Sequence, residues 1–231
     1  MSLPLVLVPG LNCSARIFAN QVPALWQYGP VMIANHRGGD SMESIASAIL
    51  AAAPPRFALA GFSMGGYVVF EMLRQARERV VKLALLDTGA RADTEQHIKI
   101  RRQRIAATEA GRFSEELDNQ FPFLVHNSRR DNTQFKQAYR QMAEECGAET
   151  FIRHLKATME RPDSRPELAR IDCPTLVMVG DSDRVTPPEL AVEMAENIRN
   201  ANLVVIPECG HLSLLEKPQE VTHALIAWMN L

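Results

Sequence analysis

The chain lacks paired cysteines, long apolar runs and an excess of either charge, and each lack removes a class of protein. Its 231 residues include four cysteines, Cys13, Cys146, Cys173 and Cys209, with no CxxC pair and no Cys/His spacing of a zinc site. That pattern fits free thiols in a reducing compartment, not a disulfide scaffold. Basic residues number 25 and acidic residues 27, for a formal net charge of -2. Such a balance predicts no partnership with nucleic acid or an anionic membrane. The run IKIRRQR (residues 98–104) reads as a solvated helix face, because Lys and Arg rarely leave water. The first residues, MSLPLVLVPGL, have no basic segment, and their apolar run stops at Pro9-Gly10. It is too short for a signal sequence or a membrane span. A cytoplasmic protein, monomeric or homodimeric, is expected.

What is present is apolar and patterned. Hydrophobic residues make up 46% of the chain, enough to fill the core of one large α/β domain or of a domain with an insertion. Apolar runs at residues 5–8, 31–35, 57–60, 82–87, 175–179 and 202–206 are rich in Val, Leu and Ile. Most show no alternation, as expected of strands covered on both faces in a parallel sheet. Helical patterns lie between or after them at 42–53, 65–76, 188–198 and 219–229. This alternation predicts right-handed crossovers and a doubly wound, mostly parallel sheet of about six strands.

From residue 91 to 166 the alternation stops. Residues 94–110, 114–120, 131–146 and 148–159 read as helices, with breaks at Gly111, Pro122 and Gly147. The segment closes on the Pro-rich RPDSRPEL (161–168). It is expected to be a helical cap over the strand ends, with 1–90 and 167–231 as the core; the plainer reading is four more packing helices.

Three features follow the carboxyl ends of three strands, the edge where open α/β sheets bind ligands. The first is Gly61-Phe62-Ser63-Met64-Gly65-Gly66, a G-x-S-x-G between a strand and a helix. A sharp strand-to-helix turn admits only small residues two before and two after the serine. The second is VMVGDSDRVTPPE (177–189), whose turn offers two carboxylates, Asp181 and Asp183, either able to orient a histidine. The third is IPECGHLSLLEKP (206–218), with His211 on a loop. The other histidines, His36, His97, His126, His154 and His223, read as ordinary surface residues. The order Ser, Asp, His is that of one of the three known arrangements of such a triad.

On LVPGL (7–11), GFSMGG (61–66), GDSDRVTP (180–187) and GHLSLLEKP (210–218), the chain resembles the α/β-hydrolase superfamily, in its serine esterase and lactonase branch. The resemblance covers residues 5–87 and 171–231 and implies the α/β-hydrolase fold. It implies Ser63 as nucleophile, His211 as base and Asp183 as acid, with Asp181 a turn residue and Asp87 a distant second candidate. It implies an oxyanion hole from the backbone N–H groups of Leu11 and Met64; Pro9-Gly10 stands where the family has His-Gly. The family's N-terminal hairpin is expected to be absent, and NHRGGDS (35–41) is a degraded form of the D-x-x-G-x-G-x-S loop.

The implied reaction is hydrolysis of a small carboxylic ester or lactone through an acyl-enzyme, needing no metal and no organic cofactor. The expected pocket is lined by Asn12, Cys13 and Phe62, with Phe121, Phe123 and Leu124 from the cap. Arg37 and His36 could instead select a carboxylate, whereas Arg129 and Arg130 read as solvent-exposed. Carbon–carbon bond hydrolysis, a lyase reaction like that of the menaquinone-pathway synthase, and a non-catalytic small-molecule receptor stay open on the same triad.

Overall fold

The computed structural model describes residues 2–231. Six strands, β1 (Leu5–Val8), β2 (Val31–Ile33), β3 (Phe57–Phe62), β4 (Val80–Leu86), β5 (Thr175–Gly180) and β6 (Ala201–Ile206), form one sheet. Their order is β2-β1-β3-β4-β5-β6, and every neighbouring pair is parallel. The sheet is thus wholly rather than mostly parallel. The helices are α1 (Val22–Leu25), α2 (Met42–Ala52), α3 (Met64–Ala76), α4 (Glu95–Glu109), α5 (Phe113–Leu124), α6 (Thr133–Cys146), α7 (Ala148–Met159), α8 (Pro188–Asn197), α9 (Ser213–Glu216) and α10 (Pro218–Met229).

The unbroken apolar runs have a physical cause: successive side chains point to opposite faces, and both faces are covered. Val6, Val8, Leu59, Leu83, Leu85, Val177 and Val179 pack with Ile45 and Ile49 of α2, Val68 and Met72 of α3, and Met194 of α8. Leu5, Leu7, Ala58, Ala60, Ala84, Leu86, Leu176 and Met178 pack with Phe18, Leu25, Leu225 and Trp228.

Chain order positions the functional edge. The chain goes from β1 outward to β2, then returns past β1 to β3. Strand order reverses between β1 and β3, so the loops leaving them border one crevice. Val8 pairs with Gly61, which sets the Pro9-Gly10 loop beside the turn at Ser63. The ends of β4, β5 and β6 follow along the same edge, with Phe62 paired to Leu86 and Gly180 to Ile206.

Helices α4 to α7 form the insertion between β4 and β5. Aromatic contacts join them, with Phe113 and Phe151 centroids 5.4 Å apart and Phe121 and Tyr139 6.2 Å apart. The insertion meets the carboxyl edge at three loops. Tyr139 Oη accepts from Asn12 Nδ2 at 3.4 Å, His154 Nε2 donates to the His36 carbonyl at 2.9 Å, and Leu212 N donates to the Leu124 carbonyl at 2.9 Å.

Two local expectations are corrected. Pro122 does not break α5, which runs to Leu124; so near the helix end, its missing N–H costs a single intrahelical bond. The run 98–104 is not a uniformly solvated face. Arg101 binds the shielded carboxylate of half-buried Asp93 at 2.5 Å, and the Arg104 guanidinium lies 4.9 Å from the Phe151 centroid. Among the described residues, no helix is long and apolar enough to cross a membrane. Among them, too, no group of three or more His, Cys, Asp or Glu is placed to hold a metal ion.

Candidate active site

Ser63 occupies the single residue between β3 and α3, at φ 53° and ψ -121°. A non-glycine residue in that region costs on the order of 1–3 kcal/mol and persists only where its surroundings enforce it. The surroundings here are glycines. A Cβ on Gly61 would lie 2.6 Å from the Gly65 carbonyl oxygen, and one on Gly65 would lie 2.7 Å from the Pro9 carbonyl oxygen. The Ser63 peptide is held at both ends: its N–H donates to Leu86 O at 2.9 Å and its carbonyl accepts from Thr88 Oγ1 at 2.8 Å.

His211, on the loop after β6, reaches Ser63 Oγ through Nε2 at 2.8 Å. Its Nδ1 lies 2.7 Å from Asp183 Oδ2, on the loop after β5. Asp183 also accepts from Val185 N at 2.8 Å, Thr186 N at 3.0 Å and Thr186 Oγ1 at 2.7 Å. Burial pushes its carboxyl up, but the His211 charge and these bonds outweigh burial and leave it below the usual carboxylate range. Burial likewise pulls His211 down, and Asp183 outweighs it, so the imidazole sits above its ordinary value of 6.5. Asp183 and His211 are each 3% exposed, so water screens this pair little.

Two more carboxylates lie close by. Asp181 accepts from Glu208 N at 2.9 Å and Cys209 N at 3.2 Å, and so fixes the loop that carries His211. Asp87 is fully buried and bonds Gly180 N at 3.0 Å and Ser213 Oγ. Burial, then the charge of Asp183, push its carboxyl well above the usual range.

Gly10 comes within reach of the serine: a Cβ there would lie 3.0 Å from Ser63 Cβ. Among the described residues, neither Leu11 N–H nor Met64 N–H donates to any protein group. The Met64 N–H also lies at the positive end of α3.

The residues expected in the pocket divide. Phe62 is buried with its ring centroid 5.4 Å from that of His211. Asn12 is buried at φ 59°, in a turn closed by Cys13 N to Gly10 O at 3.1 Å. Cys13 is buried, with its thiol pushed up by burial and its Sγ 3.4 Å from the Leu11 carbonyl. Phe121 is buried against Tyr139, and Leu124 is half-buried with its carbonyl on the His211 loop. Arg37 and Phe123 are not gathered there. Arg37 is exposed and donates to the Glu145 carbonyl at 2.9 Å, where the end of α6 offers free acceptors. Phe123 is 59% exposed, on the outer side of α5 under the Arg184 guanidinium.

Residue-by-residue reading of the sequence missed the burial and contacts of three residues near the site. Glu216 is buried and accepts from Gly210 N at 3.0 Å and His126 N at 2.8 Å, tying the insertion to the His211 loop. Its signal was a lone carboxylate directly after the apolar run of LSLLEKP. His36 and His154 are buried, not surface residues, with ring centroids 5.0 Å apart.

A doubly wound parallel sheet whose carboxyl edge carries a strained serine, in hydrogen-bond series with a histidine and an aspartate, defines the α/β hydrolases as a class. The chain belongs to the alpha/beta hydrolase family, whose model matches residues 5–224. It is 27% identical over 188 residues to a pimeloyl-[acyl-carrier protein] methyl ester esterase of Nitrosomonas europaea, a match covering 78% of this chain and 74% of that one. A thermophilic esterase from Thermogutta terrifontis superposes with a TM-score of 0.90 and 31% identity, covering 100% of this chain and 90% of that one. An enol-lactonase from Burkholderia xenovorans superposes at 0.88 with 20% identity, covering 100% and 92%; at that identity it shows the shared fold.

Proposed function

We propose that this serine hydrolase cleaves a small carboxylic ester or lactone, with Ser63 as nucleophile, His211 as base and Asp183 as its orienting acid. One observation carries the reading: the series Asp183 to His211 to Ser63, at 2.7 and 2.8 Å, ends on an oxygen held at the switch point of the sheet. His211 Nε2 takes the Ser63 proton as Oγ attacks the carbonyl carbon. Asp183 keeps the other proton on Nδ1 and stabilises the imidazolium. The tetrahedral oxyanion is received by Leu11 and Met64 N–H, each donor contributing about 3–4 kcal/mol. His211 then protonates the leaving oxygen, and water, activated by the same base, releases the acid from the acyl-enzyme. The esterase relatives support ester chemistry, and residues 91–166 act as a cap over the acyl group, as their contacts with the edge loops suggest.

The test is direct. A fluorophosphonate should label Ser63, and p-nitrophenyl acetate or butyrate should turn over. Ser63→Ala should abolish labelling and lower kcat by about 10⁶. Labelling without turnover of any ester would instead favour a small-molecule receptor.

A further inference from the structure

The geometry points to His36 as a positioning residue that aims the Leu11 N–H at the oxyanion, with His154 of α7 holding His36 in place. The inference rests on the reading of Leu11 as an oxyanion donor. A trans peptide is planar, so the Gly10 carbonyl and the Leu11 N–H point in opposite directions and fixing one fixes the other. Among the described residues every peptide is trans. Gly10 O accepts twice: from Cys13 N at 3.1 Å, and from His36 Nε2 at 3.0 Å. The turn bond alone would satisfy that carbonyl. The second bond comes from a side chain 2% exposed, on the loop after β2. Strand β2 pairs with β1, Leu7 against Ile33, which brings the two loops together.

His154 extends the series into the insertion. Its Nε2 lies 2.9 Å from the His36 carbonyl. A carbonyl only accepts, so both rings donate from Nε2, and both are the Nε2–H tautomer. Both are also neutral. Burial first, then His154 and the nearby Arg37 charge, bring His36 down to about 3; burial, with Arg153 adjacent, brings His154 down to about 4. The pair therefore keeps one hydrogen-bonding pattern across the range where His211 titrates. A helix of the insertion reaches the oxyanion peptide through two hydrogen bonds in series.

The experiment uses the full chain. His36→Phe keeps a ring and removes the donor, His36→Ala removes both, and His36→Gln restores an amide N–H at similar reach. For each, kcat and KM for p-nitrophenyl acetate are measured per site titrated by fluorophosphonate, together with inhibition by a trifluoromethyl ketone. Losing an oxyanion donor costs about 10²–10³ in kcat, so misaiming one should cost about 10–100-fold. His36→Phe and His36→Ala should show that loss with KM within about threefold, and inhibitor affinity should fall in parallel, because both report the tetrahedral state. His36→Gln should recover most of it. A merely structural role would lower thermal stability and the titratable fraction while leaving kcat per site and inhibitor affinity unchanged; that result, from either folded variant, overturns the inference alone. A wild-type chain that neither labels nor turns over esters overturns the function and the inference together.

Discussion

Exchanging each of two buried aspartates for asparagine separates their roles. Asp183→Asn should lower kcat/KM by about 10⁴, or about 5.4 kcal/mol, while Asp87→Asn should stay within about threefold of wild type. In the native site Asp183 Oδ1 takes two backbone N–H groups, and Oδ2 faces His211 Nδ1 at 2.7 Å. Asparagine has one oxygen and one NH2. With its oxygen on Val185 and Thr186, its NH2 faces Nδ1, which must then accept. The ring proton moves to Nε2, where it meets Ser63 and leaves no base, though the geometry is intact. Asp87 differs: burial and the Asp183 charge push its carboxyl well above the usual range, and its bonds go to Gly180 N and Ser213 Oγ, not to His211. Asparagine there still accepts from Gly180 N and offers an N–H to Ser213 Oγ. Initial rates on p-nitrophenyl butyrate, normalised to titrated sites, measure both. Asp183→Asn within tenfold of wild type, or an equal loss in Asp87→Asn, would refute the assignment of the acid.

Other outcomes follow from the same geometry. The acid limb of kcat/KM should have its midpoint above 6.5, because the base must be neutral and the His211 value is raised; a pH–rate profile measures it. Asp183 should contribute stability above its ordinary value of 3.8 and lose it as pH falls through its lower folded value, seen as falling urea midpoints in acid. Gly65→Ala would drive a Cβ onto the Val8 and Pro9 carbonyls and should cost about 1–3 kcal/mol, visible as a lower melting temperature with loss of labelling at Ser63.

Local pattern made much of the fold legible. Six apolar runs fall on the six strands, because the inner strands β1, β3, β4 and β5, covered on both faces, need apolar side chains at nearly every position. Gly61, Ser63 and Gly65 announced the turn, because sterics act within five residues of chain. The ends were less visible: β2 stops at Ile33 and β3 runs on to Phe62, since ladder bonds with neighbouring strands set those limits.

The residues themselves therefore determined the strands, the turn and the order Ser63, Asp183, His211 along the chain. Among Asp87, Asp181 and Asp183, only family resemblance favoured one, because all three follow strand ends. The folded chain distinguishes them by contact, with Asp183 alone bonded to His211 Nδ1. It also buries His36 and His154 and leaves Arg37 and Phe123 in water, against expectation. Periodicity and turn chemistry are written in neighbouring residues. Burial and hydrogen-bond partners are set where distant segments meet, as α7 meets the loop after β2, and no local pattern carries them.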